Sequence, residues 1–122
     1  MPDRRTLEEM IDAVGKDGVR ELYGVFKADA IMRLDEIRNR KNADGDLAVL
    51  KRHAHSLKGV CRTYGLPDSG ELAFALEQAV STGTPEEILQ AAEKVLMHVP
   101  GEIEQGENLV AELTAANPND NS

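Results

Sequence analysis

The residue types that could do chemistry gather around one histidine. His55 has Lys51 and Arg52 a turn before it, Lys58 and Gly59 a turn after it, and Arg62 two turns after it. At about 100° per residue, side chains roughly three, four and seven positions apart share a helix face, so these residues would form a basic stripe on a protein whose net charge is -8. An imidazole is a nucleophile near neutral pH, and a negative group placed on it needs a cation nearby. In mid-helix the positive end of the macrodipole is too far away to serve, which leaves Lys58 to balance the charge. Gly59 is the second unusual choice, since glycine inside an exposed helix costs about 1 kcal/mol relative to alanine and nothing in the apolar pattern asks for a small residue there. It leaves a notch one turn beyond His55, where another protein's surface can come close. Stripe, cation and notch point to a phosphoryl group carried on His55, balanced by Lys58 and approached by a partner across Gly59.

Each of these signals has a plainer meaning. A lone histidine flanking an apolar stripe more often serves structure than chemistry, and Lys51, Arg52 and Arg62 taken singly could be a solvated face. Gly59 and the clustering of cations are what such a reading leaves unexplained. His53 projects about 200° from His55, so the pair cannot grip one metal; His53 and His98 are expected at the core boundary, and no metal site is expected. Cys61 falls in the apolar seam, where a thiol behaves as a small apolar residue. No glycine-rich loop with a following Lys-Ser or Lys-Thr is present to cradle a nucleotide, so the chain is expected to carry a phosphoryl group without an ATP site of its own. No cofactor is expected on it.

Turn-type clusters at Gly15-Lys16-Asp17-Gly18, Asn42-Ala43-Asp44-Gly45, Gly65-Leu66-Pro67-Asp68 and Ser81-Thr82-Gly83-Thr84-Pro85 cut the chain into the helix-length pieces that must position these residues. A short first helix is expected over about Thr6 to Val14, with Thr6 as N-cap and Glu9 completing a capping box. The second, about Asp17 to Lys41, buries Val19, Leu22, Phe26, Ala30, Leu34 and Ile37. The third, about Asp46 to Thr63, has the cleanest stripe, with Leu47, Leu50, Ala54, Leu57, Cys61 and Tyr64 stepping by three and four residues. That stripe puts His55 on the helix flank. The fourth, about Asp68 to Val80, buries Leu72, Ala73, Leu76, Ala79 and Val80 and leaves Phe74 either exposed or under the end of the last helix. The fifth starts at Thr84 and Pro85 with Glu86 and Glu87 in its first turn and runs to about Leu113, with a kink or break expected at Pro100-Gly101. No stretch alternates apolar and polar residues as a half-buried strand does.

These elements predict an all-α fold, an up-and-down antiparallel four-helix bundle with a short N-terminal capping helix. They fill one domain over residues 1–122, with an ordered core from about residue 6 to 114 and a frayed tail over 115–122. Composition narrows the partners. Twenty-two Asp and Glu against 14 Lys and Arg repel phosphate backbones and anionic lipid, so neither nucleic acid nor a membrane is expected. The absence of a long apolar run and of a signal-like start, with a single cysteine, predicts a cytoplasmic protein, and it is expected to be a monomer.

The run His55-Ser56-Leu57-Lys58-Gly59, followed by Tyr64-Gly65 and Leu76-Glu77, resembles the histidine-containing phosphotransfer (HPt) domain, a likeness extending from about Met10 to the end of the fifth helix. The resemblance implies a phosphorelay carrier in which His55 takes a phosphoryl group from the aspartyl phosphate of a response-regulator receiver domain and passes it to another, upstream of which stands a hybrid or sensor histidine kinase. It implies Lys58 as the balancing cation, Gly59 as the docking notch and Gly65 as the turn out of the third helix. Ser56 and the stripe cations Lys51, Arg52 and Arg62 are expected to contact the partner around that notch. Mg²⁺ would sit on the partner receiver. Val60, Arg62, Ser69 and Phe74 depart from the family's pattern, Phe74 standing where a polar residue is expected. Two alternatives stay open: a docking inhibitor of a kinase or receiver that carries no phosphate, and a phosphoacceptor domain cut from a larger histidine kinase.

Overall fold

The computed structural model describes residues 1–42 and 45–115. Among these it contains four helices and no strand: α1 (Arg4–Arg40), α2 (Leu47–Thr63), α3 (Pro67–Thr82) and α4 (Pro85–Thr114). Each helix packs against the next and α4 closes on α1, so the four surround one apolar core built from Leu7, Phe26, Ile37, Leu50, Leu57, Leu76, Val95 and Val99 among others. Contacts between α1 and α4 run from Arg20 on the Thr114 carbonyl (3.3 Å) through Lys27 on Glu107 (2.9 Å) to Lys41 beside Glu93 (3.8 Å).

The expected first and second helices follow one another within α1 and are divided at Gly15, whose φ of 83° and ψ of 168° are non-helical, so that two helices meet there across a kink; glycine adopts that conformation at little steric cost. The N-cap is Asp3, not Thr6: the Asp3 carboxylate accepts from the Arg5 amide (3.1 Å) and from the Thr6 hydroxyl (2.9 Å). The Asp3 amide in turn donates to the Gly65 carbonyl (2.6 Å), a tertiary contact that fixes the start of α1 three residues early. Tyr23 replaces Leu22 in the core; Leu22 is exposed, while the Tyr23 hydroxyl donates to the Ile103 carbonyl (2.8 Å) and its ring meets Phe26 and Tyr64 edge-on.

The remaining boundaries follow local chemistry. Asp46 caps α2 by accepting from the Ala48 and Val49 amides, and Thr84 with Glu87 makes a reciprocal capping box on α4. Out of α2 the chain turns through Gly65 at φ 75°, with the Leu66 amide on the Cys61 carbonyl (2.8 Å) and the Gly65 amide on that of Arg62 (3.3 Å), the Schellman pattern. The expected break at Pro100-Gly101 is absent, and α4 continues through both. Pro100 lies on the exposed face, where the carbonyl that its ring deprives of a partner can turn to water, and Val99 and Ile103 on the buried face hold the helix together. The tail expected to fray lies, beyond Ala115, outside the described residues.

Candidate functional site

The buried residues Leu50, Ala54, Leu57 and Cys61 set the rotation of α2. With that face turned inward, His55 stands outward, its side chain 65% exposed. Across the α2–α3 seam stands Glu77, one residue after buried Leu76 and only 14% exposed. Its Oε2 lies 2.5 Å from His55 Nδ1, and its Oε1 accepts from Lys58 Nζ at 2.7 Å. One carboxylate thus bridges the histidine and the cation that sequence spacing had paired.

This bridge decides the protonation of the ring. The Lys58 ammonium above all, partly opposed by burial and supported by His55, holds the Glu77 carboxyl below its ordinary value of 4.5. Near neutral pH Glu77 is therefore a carboxylate, which only accepts hydrogen bonds, so His55 Nδ1 carries the proton and donates it. In the neutral imidazole that leaves the lone pair on Nε2. A side-chain carboxylate orienting an imidazole in this way selects its tautomer, and here it leaves an unprotonated Nε2 on an exposed side chain.

Gly59 is exposed, and a Cβ placed on it would meet nothing within 4 Å. No close packing inside the chain requires glycine there, and the notch faces open space. With that geometry in place, the comparison that matches is a family model: the Hpt domain, over residues 21–116. The chain belongs to the Hpt domain family. No curated protein and no solved structure shows a significant match. Hpt domains are phosphotransfer carriers of phosphorelays, not kinases, and they interact with receiver domains and kinases.

The other expected site residues of this Hpt domain divide. Lys51 and Arg52 are exposed and Ser56 is half-buried; Lys51 lines a shallow groove of about 480 Å³ with Phe74, Glu77, Gln78, Ser81 and Thr82. Arg62, expected to face a partner, is exposed and also makes contacts within the chain: it pairs with Glu71 (3.2 Å) and lies over the Phe74 ring. Gly70 lets it do so, since a Cβ there would stand 2.8 Å from Arg62 Cγ. Phe74 is half-buried. Lys58 and Arg62 cover it, at 5.1 and 5.6 Å from the ring centroid.

His53 is a boundary residue as expected, its Nδ1 accepting from Arg33 (3.3 Å), whereas His98 is exposed. Burial pushes the Cys61 thiol up to about 12, which suppresses the thiolate. Among the described residues no group of three or more His, Cys, Asp or Glu gathers as metal ligands do, and no helix is long and apolar enough to cross a membrane. Glu77 is the site residue that sequence reasoning left without a role. The signal for it was a carboxylate beside the buried position Leu76 on the helix following a basic stripe.

Proposed function

We propose that His55 is the phosphoryl acceptor of this Hpt domain and that it exchanges the group with receiver-domain aspartates. The observation that carries the reading is the Nδ1–Glu77 bond, which leaves Nε2 unprotonated on an exposed side chain. In the step, the Nε2 lone pair attacks the phosphorus of a receiver aspartyl phosphate in line. The N–P bond forms as the P–O bond to the aspartyl carbonyl breaks, and the receiver recovers its carboxylate. Positive charge develops on the ring as Nε2 bonds to phosphorus, and Glu77, on the far nitrogen, offsets it. Lys58, 17% exposed, faces the incoming phosphoryl oxygens from the helix turn beyond His55. Acyl phosphate and phosphoramidate are both high-energy, so transfer runs either way.

The partner brings what the carrier lacks. We assign Mg²⁺ to the acidic pocket of the receiver, where it would offset phosphoryl charge. The receiver approaches across Gly59, with Lys51 and Arg52 as the free cations facing its acidic rim and Ser56 at the edge of the contact. At a Debye length of about 8 Å in physiological salt, a docked partner feels this stripe more than the distant net negative charge. The same reading takes the bundle as up-and-down and antiparallel, supported by the pairings of residues 20, 27 and 41 with 114, 107 and 93. It takes the segment before Gly15 as a cap over the α2–α3 turn, supported by the Asp3–Gly65 hydrogen bond and by Leu7 in the core.

The test is incubation with a panel of aspartyl-phosphorylated receiver domains and Mg²⁺, followed by intact mass and adduct lability. One acid-labile, base-stable phosphoryl group that is absent in His55→Gln is the expected result. A receiver that binds tightly and never transfers would replace the carrier with a docking inhibitor.

A further inference from the structure

We propose that Phe74 is a positioning residue for phosphoryl transfer, its ring holding Lys58 and Arg62 in register along the α2–α3 seam so that Lys58 stays beside the group carried on His55. The proposal rests on His55 being the acceptor. Four aromatic residues make up the chain's complement, two Phe and two Tyr. Tyr23, Phe26 and Tyr64 form one cluster in the core, with Phe26 and Tyr64 stacked at 4.5 Å. Phe74 is not in that cluster; it is half-buried between two helices, and two cations lie over it. Both fall within the roughly 6 Å over which a ring's negative face attracts a cation. Leucine would fill the same seam but offers no such face.

The surrounding pattern gives the ring its purpose. On α3, Glu71, Phe74 and Glu77 follow one another at helical spacing, and on α2 they meet Arg62, Lys58 and His55 in opposite order. Lys58 is held by two groups, the Glu77 carboxylate and the Phe74 face; Arg62 is held by the Phe74 face and Glu71. When a dianionic phosphoryl group bonds to His55, it competes with Glu77 for the Lys58 ammonium. A lysine released from its carboxylate would regain the rotamer freedom of a long, flexible stem. The ring keeps the stem confined while the ammonium changes partner, because its attraction for the cation does not depend on Glu77. Arg62, braced by Glu71 over the same ring, closes the other side of the seat.

The experiment compares wild type, Phe74→Leu, Phe74→Tyr, Lys58→Gln and the double variant Phe74→Leu/Lys58→Gln, with Phe74→Met standing in should Phe74→Leu fail to fold. The first readout needs no phosphate: the Lys58 ε-methylene protons should resonate upfield of free lysine in wild type and Phe74→Tyr, and move to the free position in Phe74→Leu. The second is the single-turnover rate with a saturating aspartyl-phosphorylated receiver that labels wild type, together with that receiver's Kd. Phe74→Leu should slow transfer about threefold to tenfold at unchanged Kd, Phe74→Tyr should retain the rate, and Phe74→Leu should add nothing once Lys58 is glutamine. Lys58 protons at the free position in wild type would overturn the proposal, as would an undiminished effect of Phe74→Leu in the Lys58→Gln background. A labelled wild type with an equally fast Phe74→Leu overturns the role of Phe74 alone. A wild type that no receiver labels overturns the acceptor reading, and the transfer role of Phe74 with it.

Discussion

His53 and His55 sit on the same helix with one residue between them, yet their surroundings are opposite. His53 is turned towards α1, half-buried, with Arg33 donating to its Nδ1 and Glu36 no nearer than 3.8 Å. Burial first, and the Arg33 charge second, push its imidazole below the ordinary 6.5 and keep it neutral. His55 is turned towards α3 and solvent, with a carboxylate on its Nδ1. Both rings have one nitrogen committed, but in opposite senses. Arginine can only donate, so at His53 the proton must sit on Nε2; glutamate can only accept, so at His55 the proton sits on Nδ1 and Nε2 keeps its lone pair. The contrast teaches that the tautomer of a ring on α2 is chosen by the residue that the neighbouring helix sets against it.

The strongest way to break that contrast is to remove each ring in turn. His55→Gln should abolish phosphoryl labelling altogether, while His53→Gln should keep it within about twofold, since it lies outside the reacting atoms. Retention of label in His55→Gln, or its loss in a folded His53→Gln, would reverse the assignment. Because His55 is largely exposed, its replacement should change unfolding free energy by only about 0.5 kcal/mol, measured by urea titration.

Glu77→Gln tests the acid that distinguishes the two rings. The amide oxygen can still accept from Nδ1–H, but it brings no charge to offset the ring as the N–P bond forms. A charge-assisted hydrogen bond is about twice as strong as a neutral one, so the single-turnover rate should fall about tenfold while receiver Kd changes little. Stability supplies a second check. Glu77 titrates below its ordinary 4.5 because of Lys58 first and His55 after it. A carboxyl depressed on folding contributes stability that is complete above its unfolded value and is lost as pH falls through the folded one. The gap in urea midpoint between wild type and Glu77→Gln should therefore be constant above pH 4.5 and close below it; a gap independent of pH would mean that the bridge is not ionic.

These dependences explain what was legible in the chain beforehand. Lys58 and Gly59 could be placed beside His55 because all three lie on one helix whose buried stripe is regular, so rotation alone relates them. Glu77 and Phe74 come from another helix, and only the rotation and register of α3 against α2 bring them to the site. The expected apolar face of α3, centred on Leu72, Ala73 and Leu76, lies close to the true one, but Ser69 and Gly70 are buried with it, and that turn of the helix is what brings Arg62 over Phe74. The contacts of Arg62 were hidden for the same reason: its charge was visible in the sequence, and Glu71, Phe74 and Gly70, which pair with it or make room for it, lie on the other helix. At the start of α1 the local capping pattern of Thr6 lost to Asp3, whose advantage is a hydrogen bond to a residue in the α2–α3 turn.

Gly59 sharpens the comparison by separating stability from function on one residue. A Cβ there meets nothing within 4 Å, so Gly59→Ala should stabilise the helix by about 1 kcal/mol, read from the urea midpoint. If a receiver does close over this notch, the added methyl should raise its Kd about threefold or more. Greater stability together with weaker docking is the expected pair. Unchanged docking in Gly59→Ala, or still more in Gly59→Gln, would move the contact surface away from this turn.

The smallest effect concerns His53, and it has the opposite pH window from Glu77. Its folded value lies below the ordinary 6.5, so between the two values the unfolded chain binds a proton that the folded chain refuses. Stability therefore falls as pH drops below 6.5 and levels off only once the folded ring has titrated. Protonation forces the ring to donate from Nδ1 towards Arg33, which itself only donates, so the hydrogen bond at 3.3 Å must break before the charge is accepted. Glu36 and the cations Arg40 and Arg52 also face the ring, and of these Glu36 alone favours the charged form. His53→Gln should remove the decline, leaving a urea midpoint that is flat between about pH 7 and about pH 5, and Glu36→Gln should steepen it by taking away the one group that welcomes the proton. A wild-type midpoint already flat through that range would show that His53 accepts its proton as readily in the fold as out of it, and the contrast between the two rings of α2 would then rest on their partners and exposure without a pH signature.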